Sequence, residues 1–318
     1  MALGRTTVGI GSAVLAGVIF SFNDMVMKLL SDDYALHQLV LLRALIGGAV
    51  IVGVLMPLAG GLHLVRTRRL GAHLLRGLFV VGSNVAFFLA LAAMPLAEAV
   101  AVFFVAPLLI TAFSVVFLGE RVGPRRWTAV AVGLVGVVVM LRPGTAAFQP
   151  AALLCLASAA LYAGMHMFTR RMGATEAAVT FALYVQVMFA VTSAAVGLAV
   201  GDGRFAGGGD PSWEFLLRAW VWPRPADWWL IAAIGAASGL GGFFLAQAYR
   251  LVDAGLAAPF EYVSLPMAVL WGIVVFGEFP DAWAWTGIAL IAGAGLYMMA
   301  RETQLARRGG DGGRDHRA

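Results

Sequence analysis

Residues 96–120 read LAEAVAVFFVAPLLITAFSVVFLGE, and residues 252–278 read VDAGLAAPFEYVSLPMAVLWGIVVFGE. Each is a long apolar run with an internal proline, Pro107 in the first and Pro266 in the second. Each closes on a Gly-Glu pair, Gly119-Glu120 and Gly277-Glu278, and each is followed by one more apolar segment. The two Gly-Glu pairs lie 158 residues apart in a chain of 318. The chain therefore carries one helical unit twice, and a duplicated helical unit with a site at the seam is the usual plan of a secondary transporter.

The residues around these stretches agree. The chain is 61% hydrophobic and 12% charged, with a mean hydropathy of +0.87; a soluble protein carries roughly 25% charged residues. A helical span needs ~20 apolar residues. The apolar runs 8–30, 36–59, 73–94, 97–118, 125–141, 150–171, 177–200, 228–249, 254–276 and 282–300 read as ten spans. Alternation of period two is absent, which argues against a membrane β-barrel. The fold expected is all-α and integral to the membrane, with ten transmembrane helices as two inverted five-helix repeats. The repeats cover 1–145 and 146–302, and 303–318 reads as a disordered, basic cytoplasmic tail. Arg5 precedes an apolar run that continues to Leu30, which suits an uncleaved first span better than a signal peptide. Cys155 is the single cysteine; it excludes an intrachain disulfide and reads as a small apolar core residue.

Charge sets the expected orientation. Arg5, Arg66, Arg68, Arg69, Arg121, Arg125, Arg126, Arg170, Arg171, Arg250 and the arginines of 301–317 fall on one side of the ten spans. Arg142, Arg204, Arg218 and Arg224 fall on the other. The positive-inside bias places both termini in the cytoplasm, and the basic excess is then a topology signal, with no nucleic acid as partner. Most of the tryptophans (Trp213, Trp220, Trp222, Trp228, Trp229, Trp283 and Trp285) gather near the opposite face, as an interfacial belt would. The Gly- and Trp-rich segment 201–227 is expected to lay a short helix on that surface. An odd number of spans per repeat turns the second copy upside down. Accordingly, RVGPRRW after the first Gly-Glu is basic, and FPDAWAW after the second is acidic and aromatic.

With Ser21-Phe22-Asn23 and Lys28 in the first span, Ala106-Pro107 to Gly119-Glu120 in the fourth and Gly277-Glu278 in the ninth, the chain resembles the drug/metabolite transporter superfamily, EamA type. The resemblance covers residues 8–300. It implies a ten-helix metabolite transporter of a bacterial-type inner membrane, without a cofactor. It leaves the cargo open among amino acids, nucleosides, vitamins, amines and drugs. The spacing from proline to Gly-Glu differs by one residue between the two copies.

An ionisable group inside a span costs ~3 kcal/mol on insertion scales, so each one needs a partner or a task. Asp24 in span 1 and Arg43 in span 2 fall at similar depth and are expected to meet as an ion pair, static or switching. Lys28, one turn after Asp24, is an alternative partner or snorkels to the interface. Glu261, flanked by Pro259 and Pro266 and followed by Tyr262 and Ser264, is the foremost site candidate, for a substrate or a proton. Proline frees backbone carbonyls, which are tolerated at membrane depth only where they face protein or water. His166, with Tyr162 one turn earlier, is a candidate proton partner of Glu261. Asn23, Asn84, Tyr184, Gln186 and Gln247 are candidate cavity residues or interhelical hydrogen-bonding groups, and Pro107, Pro259 and Pro266 candidate bending points. Glu120 and Glu278 end their helices and are expected to anchor loops. No nucleotide loop, metal-ligand set or hydrolase motif is present.

The sequence thus reads as a secondary transporter, not an enzyme, working by alternating access with proton coupling or exchange, as a monomer or homodimer. Amino-acid-like export is the first expectation for its small-molecule cargo. Uptake of a zwitterionic, cationic or vitamin-like metabolite is the alternative. An intramembrane enzyme, a sensor and a channel are the rivals from other classes.

Overall fold

In the computed structural model the described residues are 2–67, 69–119, 123–146, 148–172, 177–251 and 260–311. They are helical, with no strand among them. α1 is Ala2–Leu29, α2 Leu36–Val50 (prolonged by a π-helical turn, Ile51–Leu55), α3 Met56–Ala59, α4 Leu70–Ala93, α5 Leu96–Phe103, α6 Ala106–Leu118 and α7 Pro124–Leu141. There follow α8 Ala151–Met172, α9 Ala178–Val200, α10 Pro211–Leu217, α11 Trp228–Leu251, α12 Ser264–Phe276 and α13 Ala282–Asp311. Among the described residues eight helical stretches are long and apolar enough to cross a membrane, and Ala151–His166 and Ser264–Phe276 are shorter apolar helices. Large apolar side chains stand outward, among them Val116, Leu198 and Val274. Water would penalise such a surface and lipid does not.

Pairs of helices build the bundle. α1 packs along α11, α4 along α8, α7 along α13, and α2 against both α9 and α11. Small residues allow the closest approach. A Cβ on Gly239 of α11 would lie 3.0 Å from the Gly47 carbonyl of α2, and one on Gly235 would lie 2.5 Å from Ile46 Cβ. The Gly235–Gly239 spacing thus serves as a close-packing face.

From the interruption to the closing glycine the two quoted stretches have the same backbone. The first is α5, a two-residue interruption at Phe104 and Val105, then the thirteen residues of α6. The second interrupts its helix at Tyr262 and Val263 and continues as the thirteen residues of α12. Both helices end on a left-handed glycine, Gly119 at φ 67° and Gly277 at φ 66°. The proline offset is absorbed in the first turn, at the second position of α6 and the third of α12. The first N–H groups of a helix have no intrahelical partner, so a proline is tolerated there. Phe104 and Tyr262, from the two interruptions, pack ring to ring at 4.6 Å between centroids. Residues 252–259, with Pro259, and Glu120 lie outside the described residues.

One end of the bundle is closed by polar contacts. Lys28 Nζ meets Glu278 Oε1 at 2.8 Å and donates to the Met94 carbonyl at 2.5 Å, while Glu278 Oε2 accepts from Leu96 N at 2.9 Å. Lys28 therefore pairs neither with Asp24 nor with the interface as the sequence predicts. Glu278 anchors the start of α5 because the chain turns there and brings its carboxylate over the end of α1. Beside it Arg142 pairs with Asp281 at 2.8 Å. The 201–227 connection folds over the same end. α10, capped by Asp210 on Ser212 N and Trp213 N, is held to α4 by Ser212 Oγ on Leu89 O at 2.7 Å. The Trp220 indole donates to His37 Nδ1, and Arg224 lies between Asp33 and Asp227. Asp227, Tyr34 and Asp33, all accepting from Arg224, raise its pKa above the ordinary value and keep it cationic.

The predicted tail differs. α13 runs on to Asp311, so residues 303–311 are helical where the sequence suggests disorder. Ala, Leu, Gln and Arg in RETQLARR are good helix formers.

Candidate functional site

A cavity of about 540 Å³ lies inside the bundle, within the range of ~300–1,000 Å³ usual for small-molecule sites. On α1 its wall runs from Gly17 to Asp24, one helical turn short of the Lys28–Glu278 closure. From there it extends towards the opposite end, past Tyr162 to Arg76, His166 and Leu245.

The upper cluster surrounds Arg43, which is 3% exposed. α2 directs its guanidinium into the cavity between two rings, with Cζ 5.2 Å from the Phe88 centroid and 5.0 Å from that of Phe189. Two asparagines hold its ends: Nη2 donates to Asn84 Oδ1 at 3.1 Å and Nη1 to Asn23 Oδ1 at 3.5 Å. Asn23 in turn donates from Nδ2 to Asp24 Oδ1 at 3.2 Å. The expected Asp24–Arg43 contact is therefore relayed by an amide. Asp24 sits one residue on from Asn23, and that rotation about α1 takes it off the line to α2.

The lower cluster gathers around Tyr162. Its ring meets His166 edge-on at 4.6 Å and Phe103 at 5.4 Å, and its hydroxyl feels the charges of both Glu261 and Arg76. Glu261 follows the undescribed 252–259 segment and precedes the helix interruption. Its carbonyl accepts from Ser264 Oγ at 2.8 Å, so the serine satisfies backbone that the interruption leaves open. Aromatic rings join the clusters, with Phe87 against Phe103 at 5.3 Å and Phe20, Phe104 and Phe181 completing the wall. Ser83 and Ser158 donate to each other's carbonyls at 3.0 and 2.7 Å, fixing α4 to α8.

Most of the residues singled out from sequence meet in this one cavity: Asn23, Asp24, Arg43, Asn84, Tyr162, His166, Glu261 and Ser264. Tyr262 is 6% exposed and packs on Phe104; neither it nor Gln247 lines the cavity. Pro107 and Pro266 lie just beyond the interruptions and outside the wall. Sequence reasoning passed over Arg76, although a charge inside an apolar run is the signal that marked Arg43. It also missed Ser238, Phe181 and Phe189, whose residue types carry no signal in an apolar span.

The architecture matches known proteins. A riboflavin transporter of Rhizobium johnstonii is 30% identical over 96% of this chain and 95% of its own length. The chain belongs to the EamA-like transporter family. The model of that family matches residues 7–142, and the chain is a member of the drug/metabolite transporter superfamily. An S-adenosylmethionine uptake transporter of Rickettsia felis is 26% identical over 94% of this chain and 95% of its own. The pseudopaline exporter of Pseudomonas aeruginosa is 28% identical over 89% and 93%. A solved crystal structure superposes on this EamA-like chain with a TM-score of 0.62 at 26% identity, covering 96% of this chain and 98% of its own.

Proposed function

We propose that this EamA-like chain is a secondary transporter that takes up a planar, vitamin-like heteroaromatic metabolite through the central cavity by alternating access. The observation that carries the reading is the cavity wall. Phenylalanine rings surround a slot of about 540 Å³ with charged and amide groups at both ends, which suits a flat ring system with a polar periphery. The riboflavin and S-adenosylmethionine transporters among its relatives support the same cargo class.

Several observations support ten spans in two inverted repeats, 1–145 and 146–302. The two interrupted helices share one backbone. The helix pairings also exchange under repeat symmetry, α1 with α11 being matched by α8 with α4, and α7 with α13 mapping onto itself. Inverted repeats allow the two halves to exchange shapes around a fixed site. In our reading the termini face the cytoplasm, so the Lys28–Glu278 end is the outer closure and the cavity is directed inward. Glu261, with Tyr162 and His166, takes the substrate or a coupling proton, and the Arg43 cluster takes the other end of the cargo. Pro107 and Pro266, at the interruptions, supply the bending points.

Proteoliposomes loaded with riboflavin, and a parallel set with S-adenosylmethionine, test this by counterflow of labelled substrate. Saturable exchange that collapses in Glu261→Gln supports the reading. No exchange of either compound by folded protein would sink it, and product formation without net movement would mark an enzyme. The pseudopaline exporter favours a second reading, export of an amino-acid-derived metabolite; efflux of such a compound with no riboflavin exchange would select it.

A further inference from the structure

Arg43 and Gln186 each hold a polar atom that nothing in the fold uses. Gln186 of α9 is 5% exposed. Its Nε2 donates to Ser238 Oγ at 2.8 Å, while its Oε1 is buried without a hydrogen-bond partner. Arg43 has both terminal nitrogens bound to asparagines, while its Nε is buried without one. A buried polar atom left unpaired costs ~1–3 kcal/mol. One donor and one acceptor in that condition line the same cavity, and a ligand carrying the complementary acceptor and donor would pair both.

The two groups face one seam. Phe189, one turn along α9 from Gln186, covers the Arg43 guanidinium. Gly47, one turn along α2 from Arg43, lies beneath the glutamine: a Cβ there would come within 2.9 Å of Gln186 Nε2. Both residues line the cavity. The rings of Phe88 and Phe189 and the two asparagines fix the guanidinium plane, so the free Nε–H is directed and not mobile.

We infer that Arg43 and Gln186 read one edge of the substrate, a ring carbonyl that accepts from Arg43 Nε beside a ring N–H that donates to Gln186 Oε1. That is the lactam or imide edge of a heterocycle. A cationic donor favours a carbonyl oxygen, because the charge-assisted bond is the stronger one. An amide oxygen matches the polarised N–H of an imide. A site that makes both bonds also discriminates, since an analogue lacking one partner leaves a buried group unpaired again. The inference rests on the transport reading above, whose cavity it uses.

The probes are lumiflavin, whose pyrimidine ring carries an N–H between two carbonyls, and its N3-methyl derivative. Both are titrated by calorimetry into the detergent-purified full chain. The expected result is that N-methylation weakens binding by about 10-fold or more, equivalent to ~1.4 kcal/mol. In Gln186→Leu, lumiflavin binding falls to the level of the methylated compound and the difference vanishes. Equal binding of the two flavins to the wild type overturns the edge contact and leaves the transport reading standing. So does a preference that persists in Gln186→Leu, because steric rejection of the methyl group would survive that change. If that variant does not fold, Gln186→Met, which keeps the side-chain length without the carbonyl oxygen, takes its place with the same two outcomes. No binding of either flavin to folded wild type overturns the edge contact, and the transport reading is then decided by the counterflow assay with S-adenosylmethionine.

Discussion

The two interrupted helices of this chain have one backbone and two chemistries. Each breaks for two residues, runs thirteen more and stops on a left-handed glycine. At matching positions, however, the first places Phe103 and Ala106 where the second places Glu261 and Ser264. Phe103 and Glu261 both line the cavity. The two stretches thus share a shape while their side chains differ, Phe103 adding a ring to the cavity wall and Glu261 a carboxylate. Backbone interruption at membrane depth is tolerated only beside protein or water, which is why both breaks abut the cavity and touch each other through Phe104 and Tyr262.

The largest effect is expected at the end of the second interrupted helix, where Glu278 meets Lys28. Lys28→Met leaves Glu278 without its cation in a largely buried setting, where the two side chains are 11% and 25% exposed. Loss of about 3 kcal/mol in stability is expected, read as a lowered denaturation midpoint. Glu278→Gln in the same background should cost little more, because the pair acts as one unit.

Next comes the cavity pair. Glu261→Gln should reduce substrate exchange by about 10- to 100-fold, the worth of a charged hydrogen bond, while Phe103→Leu should change it by no more than a few-fold. Equal losses in the two variants would erase the division of labour between the copies.

A smaller effect tests the shared backbone. A Cβ on Gly119 or on Gly277 meets nothing within 4 Å, so Gly→Ala at either position is penalised only by its left-handed conformation. Each should cost ~1 kcal/mol, and by nearly the same amount. A large inequality would mean that the two caps are not equivalent.

The smallest effect lies beyond the second cap. The Ala284 N–H, bound at 2.8 Å, and then Arg142 hold the Asp281 carboxyl below its usual range. A folded pKa below the unfolded one adds stability above the ordinary carboxylate value, and that stability is lost as pH falls. The melting temperature of the wild type should therefore exceed that of Asp281→Asn at pH 7. The gap should begin to narrow near the ordinary carboxylate pKa of about 3.9 and close only as pH falls through the lower folded value. The effect is small because Asp281 is 48% exposed, so water screens the pair.

How far the sequence could be read varies by residue. Arg43, Asp24 and Glu261 stood out because a charge inside an apolar run is costly, and the fold brings all three to one cavity. Lys28 was legible as a group in need of a partner, but not its partner. Glu278 lies 250 residues further along the chain, and only the packed bundle brings it over α1. Gln186 was legible only as one of several amides fit for a cavity or for packing, and the fold places it in the cavity wall; Phe189 carries no signal of its own, since a ring in a span serves packing as readily as binding.

The sequence by itself determined that this is a helical membrane protein with two proline-containing stretches that each close on Gly-Glu, because apolar run length and a recurring local pattern are properties of the chain itself. It also determined which ionisable groups needed a task, since the desolvation cost of a charge inside an apolar run can be read from the run before any partner is known. Only the tertiary structure decided who satisfies whom: Asn23 between Asp24 and Arg43, Glu278 on Lys28, Phe88 and Phe189 around the guanidinium. Those choices follow from how the helices rotate and cross when they pack. A shift of one residue turns a helical side chain by 100°, and that geometry is set by partners drawn from the whole length of the chain.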